Sequence, residues 1–212
     1  MIEVKIEKGY VRVGNRRASL LSGAVHYWRL HPNSWRPVLQ AVRDMGLETI
    51  ETYICWEFHE IEKDVFDFSG ESDSRRNLLG FLELTKAMGF WLILRPGPFI
   101  YSEWVHMGVP QDVAKYHRMH PEFTRRAANY IREVCKVIAP FQATRGGHVI
   151  LLQADNETDM FEYIYEEQLG LGNEAGMFQE FLKKKYAGDI DRLNARWGSD
   201  LESFDQARAV MT

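Results

Sequence analysis

The feature that most limits what this chain can fold into is an alternation. Four short strand-like runs, Ala18 to Val25, Glu48 to Ile54, Phe90 to Leu94 and His148 to Leu152, are separated by helical segments with one apolar face. Strands spaced by amphipathic helices predict a parallel sheet, because each helix carries the chain back across the sheet and covers it. Trp35, Val38, Leu39 and Val42 mark the first helix, capped at Asn33 or Ser34, with Pro37 in its first turn and Gly46 as its stop. The second helix spans Ser74 to Met88, closed by Gly89, and the third runs from Pro121 to about Phe141. Two more are predicted at Ala175 to Tyr186 and Ile190 to Trp197. Before the alternation begins, Ile2 to Val13 reads as a hairpin turning at Lys8-Gly9 and ended by Arg16 and Arg17.

Each strand ends in a polar or aromatic cluster. His26-Tyr27 follows the first, Tyr53 to Glu60 the second, Arg95 to Glu103 the third and Asn156-Glu157 the fourth. Two prolines in Arg95-Pro96-Gly97-Pro98 predict an abrupt end to the third strand. The fourth run, four aliphatic residues after His148, reads as a strand buried on both faces that delivers Gln153, Asp155, Asn156 and Glu157 to a site. Ligands bind at the carboxyl ends of strands in open sheets and in barrels alike. An open nucleotide-binding sheet would carry a glycine-rich phosphate loop after its first strand. Ser22-Gly23-Ala24-Val25 is no such loop, which favours a (β/α)8 TIM barrel. A barrel of eight strands needs roughly 250 residues. Residues 1–212 are therefore expected to be the N-terminal portion of a TIM-barrel catalytic domain, with about the first four βα units and a hairpin at 1–17 before them.

Composition excludes more than it selects. A net charge of -4 gives no reason to expect nucleic acid or a membrane surface as partner. Cys55 and Cys135 form neither a disulfide framework nor a metal spacing and are expected as buried free thiols. His26, His59, His106, His117, His120 and His148 lack ligand spacing, with His117 and His120 expected on a loop surface, so neither a metal nor a cofactor is expected. The run Lys183-Lys184-Lys185 reads as a solvated helix face. The start Met1 to Lys5 lacks a signal-peptide pattern and no segment is long and apolar enough to span a bilayer, so the cytoplasm is the expected location. Homo-oligomerisation is left open.

Together the clusters resemble the β-galactosidases of glycoside hydrolase family 35. The matching stretches are Ser22 to Tyr27, Thr52 to Trp56 with His59-Glu60, Phe66-Asp67-Phe68, Leu94 to Ile100 leading to Glu103-Trp104, and Gln153 to Glu157. The piece Phe178 to Trp197 looks more like the related family 42. The resemblance implies that Glu157 is the general acid/base, that Asn156 binds the sugar 2-hydroxyl, and that Glu103 and Tyr53 hydrogen-bond galactose hydroxyls. Tyr101 and Ser102 fall in its sugar-contacting stretch. The chain departs from the family's pattern at Glu57 (Asn), Asp155 (Glu), Ile61 (Pro) and Asp64 (Gly). The substrate implied is a galactoside or related oligosaccharide.

The chemistry suits these residue types. A retaining glycosidase uses two carboxyls about 5–5.5 Å apart, one protonating the leaving oxygen and one attacking the anomeric carbon. The acid must keep its proton near neutrality, which a second carboxylate close to Glu157 is expected to secure. The family's nucleophile lies near the seventh barrel strand and is expected beyond Thr212. Glu162, Glu166, Glu167 and Glu174 match no nucleophile motif and are expected to be solvated. The chain alone is therefore expected to be inactive. Residue types leave two local alternatives: Glu103 as an ion-pair partner of Arg95, and Tyr53 as core lining. Trp56 and Trp104 suit a sugar face, the core or the wall of the cleft. A non-catalytic carbohydrate-binding or structural relative is the alternative function.

Overall fold

The structure, a computed structural model, describes residues 2–116, 118–157, 169–170 and 175–208. The chain divides into two units, Met1–Asn156 and Glu157–Thr212.

The first unit opens with an antiparallel meander of β1 (Val4–Glu7), β2 (Tyr10–Val13) and β3 (Arg16–Ser19). The expected hairpin therefore gains a third strand. Arg16 and Arg17 continue the pairing instead of ending it, because alternation buries Ala18 beneath Val11 while the guanidiniums lie over the rings of Trp91 and Tyr10, at 4.5 and 4.7 Å. The run Ala18 to Val25 consequently splits. Its second half becomes β4 (Ser22–Ala24), the first strand of the parallel sheet, and Leu21 between the halves is exposed.

After β4 come α1 (Pro32–Asp44), β5 (Thr49–Tyr53), the single turn α2 (Trp56–His59) and a small hairpin of β6 (Glu60–Glu62) and β7 (Val65–Phe66). Phe66, expected in a loop, is thus in a strand. Then follow α3 (Leu78–Ala87), β8 (Trp91–Gly97), α4 (Gln111–Ala114), α5 (Pro121–Ile138) and β9 (Val149–Ala154). The parallel sheet has the order β4-β5-β8-β9. Leu39 of α1, Phe81 and Leu82 of α3, and Tyr130, Val134 and Ile138 of α5 pack in one core with Ile50, Leu92 and Leu94 of the sheet.

Several boundaries move for local reasons. α1 begins one turn early, at Pro32, with the His31 ring accepting from the Asn33 amide, so Pro37 lies inside the helix. Asn77 caps α3 through the Gly80 amide, and Ser74–Arg76 before it is a separate 3-10 turn. α5 ends at Ile138 and Ala139–Phe141 tightens into a 3-10 turn. β8 continues through Pro96, because the ladder to β9 breaks register between Leu94 and Gly97, where the proline needs no partner for its missing N–H.

β9 is not buried on both faces. Val149 and Ile150 are, but Leu152 is 46% exposed, since β9 pairs only with β8 among the described residues. Cys55 is buried as expected, whereas Cys135 sits on the outer face of α5 and is exposed.

The second unit contains α6 (Met177–Lys185) and α7 (Ile190–Trp197), with Leu182, Leu193, Phe204 and Ala207 as its buried cluster. Gln179 is buried there, donating to the carbonyls of Gly170 and Ala207 at 2.7 and 2.6 Å. Lys183, Lys184 and Lys185 are exposed. Glu162, Glu166, Glu167, Glu174 and His117 lie outside the described residues.

Candidate active site

The carboxyl ends of β5, β8 and β9 meet in one polar network centred on Asn156. Its Oδ1 accepts from Tyr53 Oη at 3.0 Å, Arg95 Nη2 at 2.8 Å and Gln153 Nε2 at 2.9 Å. Its Nδ2 faces the Ile100 carbonyl at 3.5 Å. Three donors fill the acceptor side of this amide and hold the buried side chain in one orientation. Arg95 lies over the Tyr53 ring at 3.9 Å and pairs with Glu51 at 3.2 Å. Sequence reasoning offered Arg95 as the partner of Glu103; the structure gives it Glu51 and Asn156 instead. Tyr53 is buried, as core lining requires, and its hydroxyl is hydrogen-bonded into the network.

The loop after β8 is folded against its own preferences. Tyr101, Ser102 and Glu103 all have positive φ, at 55°, 47° and 46°, as do His106 and Met107. Among the described residues seven of the nine non-glycine residues in this region of φ follow β8 or β9, the others being Asp64 and Ala187. Each such residue costs of order 1–3 kcal/mol and persists only when its surroundings hold it. Here the Met107 carbonyl accepts from the amides of Ile100 and Tyr101, at 2.9 and 3.1 Å, and Trp104 N–H closes back on Tyr101 O at 2.9 Å. Arg29 donates to the Ser102 carbonyl from the loop after β4. The strained turn leaves Glu103 exposed and Tyr101 half-buried.

Arg118 joins the next layer. It pairs with Asp155, donates to Tyr101 Oη at 3.2 Å and to the Asn156 carbonyl at 3.4 Å, and stacks over Phe99 at 3.9 Å. Asp155 also accepts from the Phe99 amide at 3.2 Å. Glu157 opens the second unit: it follows Asn156 directly in the chain, is exposed and has φ of 46°.

Other residues that stand out in the sequence turn out to be framework. Trp56 is fully buried and stacks on Tyr130 with centroids 5.2 Å apart, which removes it from any sugar face. His59 is buried between Tyr27 Oη at 2.5 Å and the Asp67 carbonyl at 2.7 Å, and burial lowers its pKa to about 4. Glu60 and Arg126 form a buried ion pair at 2.6 Å. Trp104 is half-buried, edge-on to Trp28, with its Nε1 donating to Glu57. His120 caps α5 and stacks on Tyr116. Among the described residues no cluster could hold a metal, and no helix is long and apolar enough to cross a membrane.

Gln153 was expected at the strand end without a stated role, Arg95 as an ion-pair partner of Glu103, and Arg118 was not expected at the site. Arg95 was legible: a cation one strand-end away from a predicted amide is a natural partner for it. Arg118 sits in a long connection whose path no spacing predicts.

Parallel strands alternating with helices and ending in polar clusters define the barrel class, and the chain belongs to glycosyl hydrolases family 35, whose model matches residues 11–201. It is 29% identical to an exo-β-D-glucosaminidase of Thermococcus kodakarensis, over 95% of this chain and 29% of that protein. It is 30% identical to a β-1,2-glucosyltransferase of Ignavibacterium album, over 96% of the chain and 31% of that protein. It is 35% identical to β-galactosidase 14 of Arabidopsis thaliana, over 73% and 18% respectively. The chain thus spans about a third or less of these relatives. A β-galactosidase structure from Halorubrum lacusprofundi shares the fold, with a TM-score of 0.52 at 22% identity, covering 90% of this chain and 30% of that one. The fold is the TIM-barrel glycosidase type, represented here by its first four βα units.

Proposed function

We propose that this chain supplies the acid/base half of a retaining glycoside hydrolase that removes terminal β-galactosyl residues, with Glu157 as general acid/base and a nucleophilic Glu beyond residue 212. The observation that carries this reading is the three-donor hold on Asn156, which fixes the residue directly before Glu157 at the carboxyl ends of β5, β8 and β9. Glu157 protonates the leaving oxygen as the sugar–oxygen bond breaks, then takes a proton from the water that frees the sugar. Glu103, Tyr53, Tyr101, Ser102 and Asn156 form the sugar-facing set, and developing positive charge on the ring favours the carboxylate-rich surroundings.

A second glycone is favoured by one observation: the relative matched over 95% of the chain is named for a glucosaminide. The relative named as a glucosyltransferase fits the same mechanism, with a sugar hydroxyl in place of water. The test is turnover of nitrophenyl β-galactoside and β-glucosaminide by the polypeptide of the complete open reading frame, with the released anomer followed by NMR. Retained configuration and a kcat lowered about 10²–10⁴-fold by Glu157→Gln are expected. Added azide, which attacks the glycosyl-enzyme without a base, should restore part of the turnover. Sugar binding with no turnover of any glycoside would instead support a non-catalytic carbohydrate-binding relative.

A further inference from the structure

His26 lies two residues beyond β4, the first strand of the parallel sheet, at the same end as Tyr53 and Asn156. Its ring stacks on Trp28 with centroids 5.8 Å apart at 14°, and leans on Tyr53 at 5.2 Å. Its Nδ1 accepts from the Tyr53 backbone N–H at 3.4 Å. An imidazole nitrogen that accepts carries no proton, so the proton of the neutral ring sits on Nε2. Nε2 has no partner among the described residues, and the ring is half-buried. Burial, and then the cations of Arg29 and Arg95, lower the pKa of His26 to about 4. The ring is therefore neutral at neutral pH, which makes it a poor proton shuttle and a steady donor.

We infer that His26 is a specificity-determining residue of the glycone site, its Nε2–H donating to one sugar hydroxyl. This rests on the glycosidase reading. A fixed neutral donor between two aromatic rings suits a hydroxyl oxygen, which accepts without charge, better than it suits a carboxylate or phosphate. Trp28 and Tyr53 hold the ring plane, so the donor costs little ordering when sugar binds.

The test uses the complete polypeptide, with nitrophenyl β-galactoside and the analogues that each lack one ring hydroxyl. His26→Phe keeps the ring packing and removes the donor; His26→Gln keeps an N–H near the Nε2 position. Circular dichroism and thermal melts check that both fold. For His26→Phe a loss of roughly 3- to 10-fold in kcat/KM on the parent glycoside is expected, the size of one neutral hydrogen bond. That loss should vanish on one deoxy analogue and persist on the rest, and His26→Gln should recover part of it. No loss, or the same loss on every analogue, with the wild type active, overturns the inference and leaves the glycosidase reading intact. A wild type inert on all glycosides overturns both.

Discussion

Near their amino ends β8 and β9 carry Trp91 and Ile150, buried with Val11, Val13 and Ala18 of the meander and with Ala143. Toward their carboxyl ends the same two strands carry Arg95 and Gln153, both of which donate to Asn156 Oδ1. Among the described residues the amino end has no ion pair in its apolar cluster and no strained turn, although the Arg16 guanidinium lies over the Trp91 ring. The carboxyl end has both, in the Arg95–Glu51 pair and the left-handed run Tyr101 to Glu103. On the proposed reading the contrast separates stability from chemistry along one set of strands, as barrel enzymes do generally. The polar end must hold its side chains by hydrogen bonds that a packed core would not need.

The contrast breaks most sharply at Trp91. Trp91→Ala removes the ring that Arg16 covers and that the meander packs against, and should cost about 3–5 kcal/mol of unfolding free energy. Urea unfolding measures it. The folded fraction should keep the wild-type KM for a glycoside, because no described contact joins Trp91 to the Asn156 network. A changed KM would show that the two ends are coupled.

Arg95→Met should reverse the pattern at a smaller stability cost, about 2 kcal/mol, since it takes a charged donor from Asn156 and leaves Glu51 unpaired. Its larger signature is functional. Asn156 would keep Tyr53 and Gln153 but lose the cation that donates to it and lies over the Tyr53 ring, so in the complete polypeptide kcat/KM for a glycoside should fall more than the melting temperature suggests. Equal, proportionate losses would make Arg95 a packing residue only.

Much of this was legible in the sequence where physical constraints act locally. The order of strands and helices followed from apolar periodicity, and the strand-end clusters followed from the rule that sites form there. Glu103 and Glu157 were singled out through the family resemblance, and both are exposed after the ends of β8 and β9. What was missed depends on neighbours distant in sequence. Arg16 and Arg17 looked like a stop until the rings of Trp91 and Tyr10 were there to cover them. Trp56 suited a sugar face, the core or the cleft wall until Tyr130 of α5 stacked on it and settled it as core. Leu152 looked buried because the run His148 to Leu152 is greasy throughout, while burial depends on what pairs beyond β9. Pro96 looked like an end because a register break cannot be read from one strand.

The smallest expected effect compares two histidines, one at each end. His148 stands just before β9 at the amino end, with Nε2 3.0 Å from Thr85 Oγ1 and Nδ1 buried without a partner among the described residues. Burial first, and Lys86 second, lower its pKa to about 4, and His26 at the carboxyl end is lowered to about 4 as well. A depressed histidine pKa means that the unfolded chain, near 6.5, binds the proton more readily than the folded one. The stability contributed is therefore fully present above about pH 6.5 and is lost as pH falls toward about 4. For His148 the loss should be about 1 kcal/mol over the first pH unit below 6.5. His148→Gln keeps a donor for Thr85 and cannot titrate, so its unfolding free energy should fall less steeply with acid than that of the wild type. His26→Gln should flatten the curve by less, because its ring is less buried and its proton can reach water. Parallel curves for wild type and His148→Gln would mean that His148 takes up its proton without unfolding, and that the amino end of the sheet is wetter than its packing suggests.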